Sequence, residues 1–294
     1  MHKYLRAIGF SHYRKRKDID ELLKRVEDVP MKRQELYLEN DENQGQICTE
    51  FAKGLGLAVF GSFDEWGEFK RDYYFPYYIS EVTSSKAPCQ VQKHVEKEEY
   101  SCLCEELRLG ISLIFYMQNG LDYAIRAQRA NGSHLVKSVR LTGLSVSGKI
   151  LLPVMKTEEQ KEKIKLSAAT HSELIEAARQ GDEGAMATLS LEELDLCAGI
   201  SRRIQEEDVY SVIDTSFMPF GVECDQYSII GTITSMQEIS NSWTEERLYK
   251  MTIECNDVMF QILINKKDLQ GVPAVGRRFK GEIWMQGVAD FMKD

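Results

Sequence analysis

Short apolar and aromatic runs, separated by turn-forming residues, dominate the chain from about residue 34 to 155. Runs such as "QELYLE", "LAVFGSF", "DYYFPYYI", "CQVQKHV", "YSCLCEELRLGISLIFYM" and "VRLTGLSVSGKILLPV" are rich in β-branched and aromatic residues and are separated by Gly, Asn, Ser and Pro. No long helical pattern lies between them, which favours antiparallel pairing over β-α-β units. Hairpin turns are predicted at "SVSGK" (145–149) and at "QNG" (118–120).

An amphipathic helix is predicted before these strands. Asp18 followed three residues later by Glu21 is typical of a capping box at a helix start. The apolar stripe that follows consists of Ile19, Leu22, Leu23 and Val26. Pro30 ends the pattern. The helix and the strands together predict a β-rich domain over residues 1–155.

Residues 157–208 have helical patterning, with three short helices that do not recur at a fixed period. The following stretch "DTSFMPFGVECDQ" contains Pro219 and Gly221, which favour an irregular connector. Residues 156–224 are therefore predicted to be a helical middle segment and connector.

The last third of the chain returns to strands. Three alternating runs include a tight hairpin signal at Asn256-Asp257, and one or two further strands follow a short irregular link. This arrangement over residues 225–294 predicts a small OB-like β-barrel, with an SH3-like barrel as the alternative. The predicted fold class is thus α+β: an antiparallel β-rich N-terminal domain, a helical middle segment and a C-terminal barrel.

Composition narrows the class of protein. The 294 residues are 43% hydrophobic and 28% charged, with a net charge of −9, values ordinary for a globular protein. No run of 18 apolar residues and no signal-peptide pattern is seen. The seven cysteines form no Cys-x-x-Cys pair, so reduced thiols in a cytoplasm are expected. Cys102 and Cys104 share one side of a predicted strand, which favours burial over metal binding, and no cofactor or metal is expected.

The segment "GRRFKGEIWMQGV" (276–288) gives the strongest suggestion of a binding surface. Alternation places Phe279, Ile283 and Met285 inside a barrel. It places Arg278, Lys280 and Trp284 on the outer face, and with Lys250 these three are the predicted ligand-binding or nucleic-acid-binding residues. However, residues 226–294 carry eight Lys or Arg against nine Asp or Glu, a net charge of −1, which disfavours nucleic acid.

No set of side chains matches a known catalytic motif, so no catalytic residue is predicted. A non-enzymatic binding or regulatory module is favoured, with an unidentified protein or small molecule as its partner and no membrane role. Two alternatives stay open: an enzyme with an unrecognised site, and a nucleic-acid binder that uses the C-terminal barrel.

Three segments, "MHKYLRAIGFS", "ISRRIQEEDVYSVIDTSFMPFGVECDQYSIIGTI" and "LINKKDLQGVPAVGRRFKGEIWMQG", resemble an uncharacterised family of proteins from clostridial Firmicutes. The resemblance covers the whole chain. It implies a bacterial and cytoplasmic protein, and it carries no activity and no site residues with it.

Overall fold

The computed structural model describes residues 3–37, 43–94, 99–109, 111–129, 135–154, 213–222 and 224–292, with residue 210 and most of 170–191 and 194. Two compact units are present, residues 1–150 with 216–294, and residues 151–215. In the second unit, residues 183–191 are helical. The rest of the predicted helical segment lies largely outside the described residues.

The first unit is mostly β-structure with few helices, as the α+β prediction requires. One sheet is an antiparallel meander of four strands in chain order: β1 (Lys32–Tyr37), β2 (Asn43–Ala52), β3 (Leu55–Phe63) and β4 (Phe69–Tyr78). The helix α1 (Arg16–Asp28) packs against this sheet through the predicted stripe Ile19, Leu22, Leu23 and Val26. Asp18 is not the residue that precedes the helix. The helix begins two residues earlier, and the Asp18 carboxylate accepts a hydrogen bond from the backbone N–H of Lys15 at 3.4 Å.

The other sheet has ten strands drawn from both ends of the chain. They are β5 (Cys89–Lys93), β6 (Tyr100–Cys104), β7 (Leu113–Met117), β8 (Val136–Leu151), β9 (Ser216–Pro219), β10 (Gln226–Ser240), β11 (Arg247–Cys255), β12 (Val258–Asn265), β13 (Leu269–Gln270) and β14 (Arg278–Phe291). Their order is β13-β8-β12-β11-β10-β14-β7-β6-β5; β9 pairs with β10, and β8 also pairs with β14. Strands from the predicted N-terminal domain and from the predicted C-terminal barrel therefore share one sheet. The boundaries expected at residues 155 and 225 remain predictions.

The described strands of the N-terminal part, β1 to β7, pair with one another antiparallel, as predicted. The parallel pairs join N-terminal to C-terminal strands: β8 runs parallel to β12 and β13, and β7 runs parallel to β14. Two local expectations for this sheet are wrong. The segment 145–149 is not a turn but the middle of β8. A β-carbon at Gly148 would lie 2.4 Å from the Phe279 ring, so this glycine provides space for an aromatic side chain. The segment 118–120 leads into a helix, α2 (Gly120–Arg129), and not into a hairpin.

The predicted hairpin at Asn256-Asp257 is confirmed. It joins β11 to β12, and both residues have positive φ, 48° and 60°, as a two-residue hairpin turn requires. The strand pairs around it bury one of the two main apolar clusters, which includes Phe260, Phe279 and Ile283. The other cluster lies between the four-stranded sheet, α1 and the N-terminal 3₁₀ helix Lys3–Ile8.

Candidate functional site

A half-enclosed cleft of about 360 Å³ lies in the first unit, beside one face of the four-stranded sheet. Because side chains alternate along a strand, Gln46, Cys48 and Glu50 of β2 share this face. Its remaining walls come from β1, β4, the junction of β7 with α2, and β8 and β14. The cleft thus brings together segments that are far apart in the sequence.

Small residues in β3 leave the room for the cleft. Gly56 and Ala58 are the register partners of Tyr77 and Phe75 on β4, and both β4 side chains line the cleft. A β-carbon at Gly56 would lie 2.5 Å from the Tyr77 hydroxyl oxygen and 2.5 Å from the Thr49 carbonyl oxygen. Glycine at position 56 is therefore what allows the Tyr77 side chain to lie across the sheet.

Tyr77 is a lining residue of the cleft that carries a hydroxyl group. The residue is 6% exposed, and its hydroxyl has no hydrogen-bond partner among the residues that the structure describes. Burial, with a smaller contribution from Cys48 and Glu50, raises the pKa of Tyr77 well above its usual value. The hydroxyl therefore stays protonated and can donate a hydrogen bond.

Gln118, at the end of β7, is the second buried polar group of the cleft and is 7% exposed. Its Nε2 group donates to the Tyr78 carbonyl oxygen at 2.9 Å and to Gln286 Oε1 at 2.9 Å. Gln286 Nε2 in turn donates to the Pro76 carbonyl oxygen at 2.8 Å. Gln118 Oε1, in contrast, has no partner among the described residues. The side chain is therefore fixed in position while one strong acceptor is left over.

Charged groups of both signs line the cleft. Two are carboxylates, Glu50 and Asp122, and two are cations, Lys32 and Arg140. Asp122 accepts a hydrogen bond from Gln34 Nε2 at 2.6 Å. Arg140 pairs with Asp290 at 3.1 Å and donates to the Ser80 carbonyl oxygen at 3.0 Å. Among the described lining residues, the formal charges therefore cancel.

Cys48 is the one described cysteine in the cleft lining. Its sulfur accepts a hydrogen bond from Gln46 Nε2 at 3.2 Å. Burial raises the pKa of the Cys48 thiol above its ordinary value, which disfavours the thiolate that nucleophilic chemistry needs. The cleft therefore has the features of a binding site more than those of a catalytic one.

A more open pocket of about 430 Å³ lies beside the N-terminal segment, around the buried carboxylate of Glu246. Glu246 accepts hydrogen bonds from Ser11 Oγ at 2.5 Å, from Asn265 Nδ2 at 2.6 Å and from Lys267 Nζ at 3.2 Å. Burial alone would raise the pKa of Glu246, but the hydrogen bonds from Ser11, Asn265 and Lys267 outweigh it and lower the pKa. Because every oxygen is engaged, this carboxylate anchors the N-terminal segment to β11 and β12.

The four residues predicted from the sequence do not form one outward face. Arg278 and Trp284 are 3% and 6% exposed, so their expected outward orientation is wrong. Trp284 packs against Tyr4 and Tyr116, and its Nε1 donates to Asp225 at 2.7 Å. The 3₁₀ helix that carries Tyr4 covers this face, and alternation within one strand does not reveal such a cover.

The other two residues keep some exposure. Lys280 is partly exposed on β14, and Lys250 on β11 pairs with Glu81 at 3.2 Å. Neither lies in the lining of the cleft. Ligand or nucleic-acid binding by the four residues stays a prediction. The expected interior positions of Phe279, Ile283 and Met285 are confirmed, since all three are fully buried.

Sequence patterns did not single out Gln118, Tyr77 or Cys48. Gln118 stood inside a segment interpreted as a turn, and Tyr77 stood in "DYYFPYYI", which was interpreted as a strand with no role in binding. One signal was present in β2, where Gln46, Cys48 and Glu50 place polar atoms at period two. That pattern marks a polar face, but it does not show that a second sheet faces it.

Comparisons with known proteins identify a family and no activity. A family model described as "Domain of unknown function, E. rectale Gene description (DUF3881)" matches residues 5–287. The resemblance found in the sequence is thereby confirmed. Comparison with curated proteins and with solved structures found no match. In the part of the chain that the structure describes, no helix is long and apolar enough to cross a membrane.

Proposed function

This chain belongs to the DUF3881 family, and we propose that it is a non-enzymatic binding module that holds a small molecule in the cleft beside the four-stranded sheet. The observation that carries the proposal is Gln118 Oε1, a buried acceptor without a partner among the described residues. Leaving such a group unpaired costs about 1–3 kcal/mol. This oxygen has almost no accessible surface, so a ligand recovers that free energy when the side chains around the oxygen shift to admit the ligand's donor.

Size and composition support the same function. A volume of about 360 Å³ lies within the roughly 300–1,000 Å³ that is usual for small-molecule sites. Phe75, Ile79 and Val288 give the lining apolar surface, and polar or charged side chains make up more than half of its described residues. Apolar surface combined with polar groups that can fix an orientation is the composition that a small-molecule site needs.

The enzyme alternative has less support. The raised pKa of the Cys48 thiol disfavours a nucleophile, and the Glu246 carboxylate is occupied by structural hydrogen bonds. A cytoplasmic location is also part of the proposal, and the free thiols of the described cysteines support it.

An OB-like barrel remains part of the proposal. It would comprise β8, β10, β11, β12 and β14, and the pairing of β8 with both β12 and β14 supports it. One of its strands, β8, then comes from outside the expected segment 225–294. Nucleic-acid binding on this barrel is less well supported, because Arg278 and Trp284 are buried and Lys250 is paired with Glu81.

A fragment screen by ligand-observed NMR tests the binding function. Ile79→Trp places a large ring in the cleft lining and is expected to abolish binding of the hits. Lys70→Trp, at an exposed position of β4 outside the lining, is the matched control and is expected to leave binding unchanged. Absence of hits, or hits that bind Ile79→Trp as well as the wild type, refutes the proposed function. Chemical conversion of hits that the wild type performs and Ile79→Trp does not would favour the enzyme alternative.

A further inference from the structure

We infer that the cleft recognises an uncharged ligand through a carboxamide-type group, an N–H donor beside a carbonyl acceptor. Gln118 Oε1 would accept the ligand N–H, and the Tyr77 hydroxyl would donate to the ligand carbonyl oxygen. This inference rests on the proposed binding function and specifies its ligand class.

The orientation of the Gln118 amide is fixed by its neighbours. Its Nε2 group faces the Tyr78 carbonyl oxygen, which can only accept a hydrogen bond. The Gln286 amide is fixed in the same way by the Pro76 carbonyl oxygen, so Gln286 Oε1 also faces Gln118 Nε2. Rotating the Gln118 amide by half a turn would set its oxygen against two other acceptors. The group left for a ligand is therefore an acceptor, and the ligand must supply a donor.

Tyr77 provides the complementary group. Tyr77 lines the same cleft as Gln118, and its hydroxyl has no hydrogen-bond partner among the described residues. Burial keeps the hydroxyl protonated, so it suits a carbonyl acceptor on the ligand. An acceptor and a donor in one lining are the pair that a carboxamide, with its own donor and acceptor, can satisfy together.

The charge balance of the lining indicates a neutral ligand. Among the described lining residues, two carboxylates and two cations offset each other, so their summed charge favours neither an anion nor a cation. Asp122 and Arg140 already have protein partners, Gln34 and Asp290. Arg140 therefore offers an anionic ligand no free countercharge, whereas the Asp122 carboxylate is hydrogen-bonded by a neutral amide and keeps its charge.

Three probes that share a phenyl ring distinguish a neutral from an anionic or a cationic ligand. They are benzamide, benzoate and benzylamine, which are neutral, anionic and cationic at pH 7. Each is titrated into the ¹⁵N-labelled full chain, and backbone and side-chain amide shifts give the site and the Kd. Benzamide is expected to shift the Gln118 side-chain amide signal and to bind at least about tenfold more tightly than the two ions, as the loss of one or two hydrogen bonds predicts.

Two variants test the two hydrogen bonds. Tyr77→Phe removes only a hydroxyl without a described partner, so the fold is retained and benzamide affinity falls about three- to tenfold. Tyr249→Phe, outside the lining, is the control and leaves the affinity unchanged. Gln118→Met, checked for folding by circular dichroism, is expected to weaken benzamide by a similar factor.

Three results would overturn the inference. The first is benzoate or benzylamine binding in the cleft as tightly as benzamide; the binding function would then stand with a different ligand class. The second is unchanged benzamide affinity in both Tyr77→Phe and folded Gln118→Met. In that case Gln118 Oε1 accepts a hydrogen bond from a bound water and not from the ligand. The third is no shift at the cleft with benzamide at millimolar concentration. If the fragment screen also gives no hits that Ile79→Trp abolishes, then both this inference and the proposed binding function are wrong.

Discussion

Replacing Glu246 by Gln is the sharpest test of how the N-terminal segment is held. The carboxylate accepts through one oxygen from Ser11 Oγ and Lys267 Nζ, and through the other from Asn265 Nδ2. A glutamine keeps the size but turns one of these acceptors into a donor, which then faces another donor. Losing about two hydrogen bonds to a charged group, at about 1.5–3 kcal/mol each before relaxation, predicts a loss of about 2–4 kcal/mol in the free energy of unfolding.

The effect should depend on pH in a stated direction. The pKa of Glu246 is lower in the folded protein than in the unfolded chain, so its stabilisation is fully present above the unfolded value of about 4.3. It is lost as the pH falls through the folded pKa. The difference between wild type and Glu246→Gln is therefore expected to be largest near neutral pH and to shrink at acidic pH.

Urea denaturation at a series of pH values measures both quantities. Glu245→Gln is the matched control, because Glu245 is the exposed neighbour of Glu246 and exposed substitutions usually change stability by less than about 0.5 kcal/mol. If Glu246→Gln is no less stable than Glu245→Gln at pH 7, or if its effect does not change with pH, the anchoring role is refuted.

Three further predictions concern the cleft and the sheets. Gly56→Ala is expected to displace Tyr77, to cost about 1–3 kcal/mol of stability and to weaken benzamide binding, measured by urea denaturation and NMR titration. Trp284→Ala is expected to lower the free energy of unfolding by about 3–5 kcal/mol, because the side chain is buried. A decrease below about 1 kcal/mol would show that Trp284 lies on the surface. Asp257→Gly is expected to raise the stability by about 0.5–1 kcal/mol, since its φ of 60° suits glycine, and a lower melting temperature would contradict this.

Local chemistry in the sequence predicted the features that depend on neighbouring residues. The stripe of α1 and the hairpin at Asn256-Asp257 are set by side-chain period and by the conformations that two turn residues favour. The interior positions of Phe279, Ile283 and Met285 follow from strand alternation in the same way. Each of these features can be predicted from a few neighbouring residues alone.

Glycines account for the main local errors. Gly148 and Gly120 were interpreted as turn residues, but each lies where an aromatic ring approaches the backbone. A β-carbon would lie 2.4 Å from Phe279 at the first position and 2.5 Å from Tyr100 at the second. The sequence shows a glycine at each position, but the ring that it accommodates comes from a segment distant along the chain.

The cleft could not be predicted, because its lining joins residues that are far apart in the sequence. Gln118 owes its position to hydrogen bonds with Tyr78 and Gln286, which lie 40 and 168 residues away. The parallel pairing of β7 with β14 brings these segments together, and strand alternation carries no information about such a pairing.

A crystal structure of the protein soaked with benzamide shows whether Gln118 and Tyr77 recognise a carboxamide. Benzamide is expected in the cleft, with its nitrogen about 2.9 Å from Gln118 Oε1 and its oxygen within hydrogen-bond distance of the Tyr77 hydroxyl. A cleft closed by the protein's own side chains, or benzamide bound only elsewhere, would show that these two groups do not bind a carboxamide.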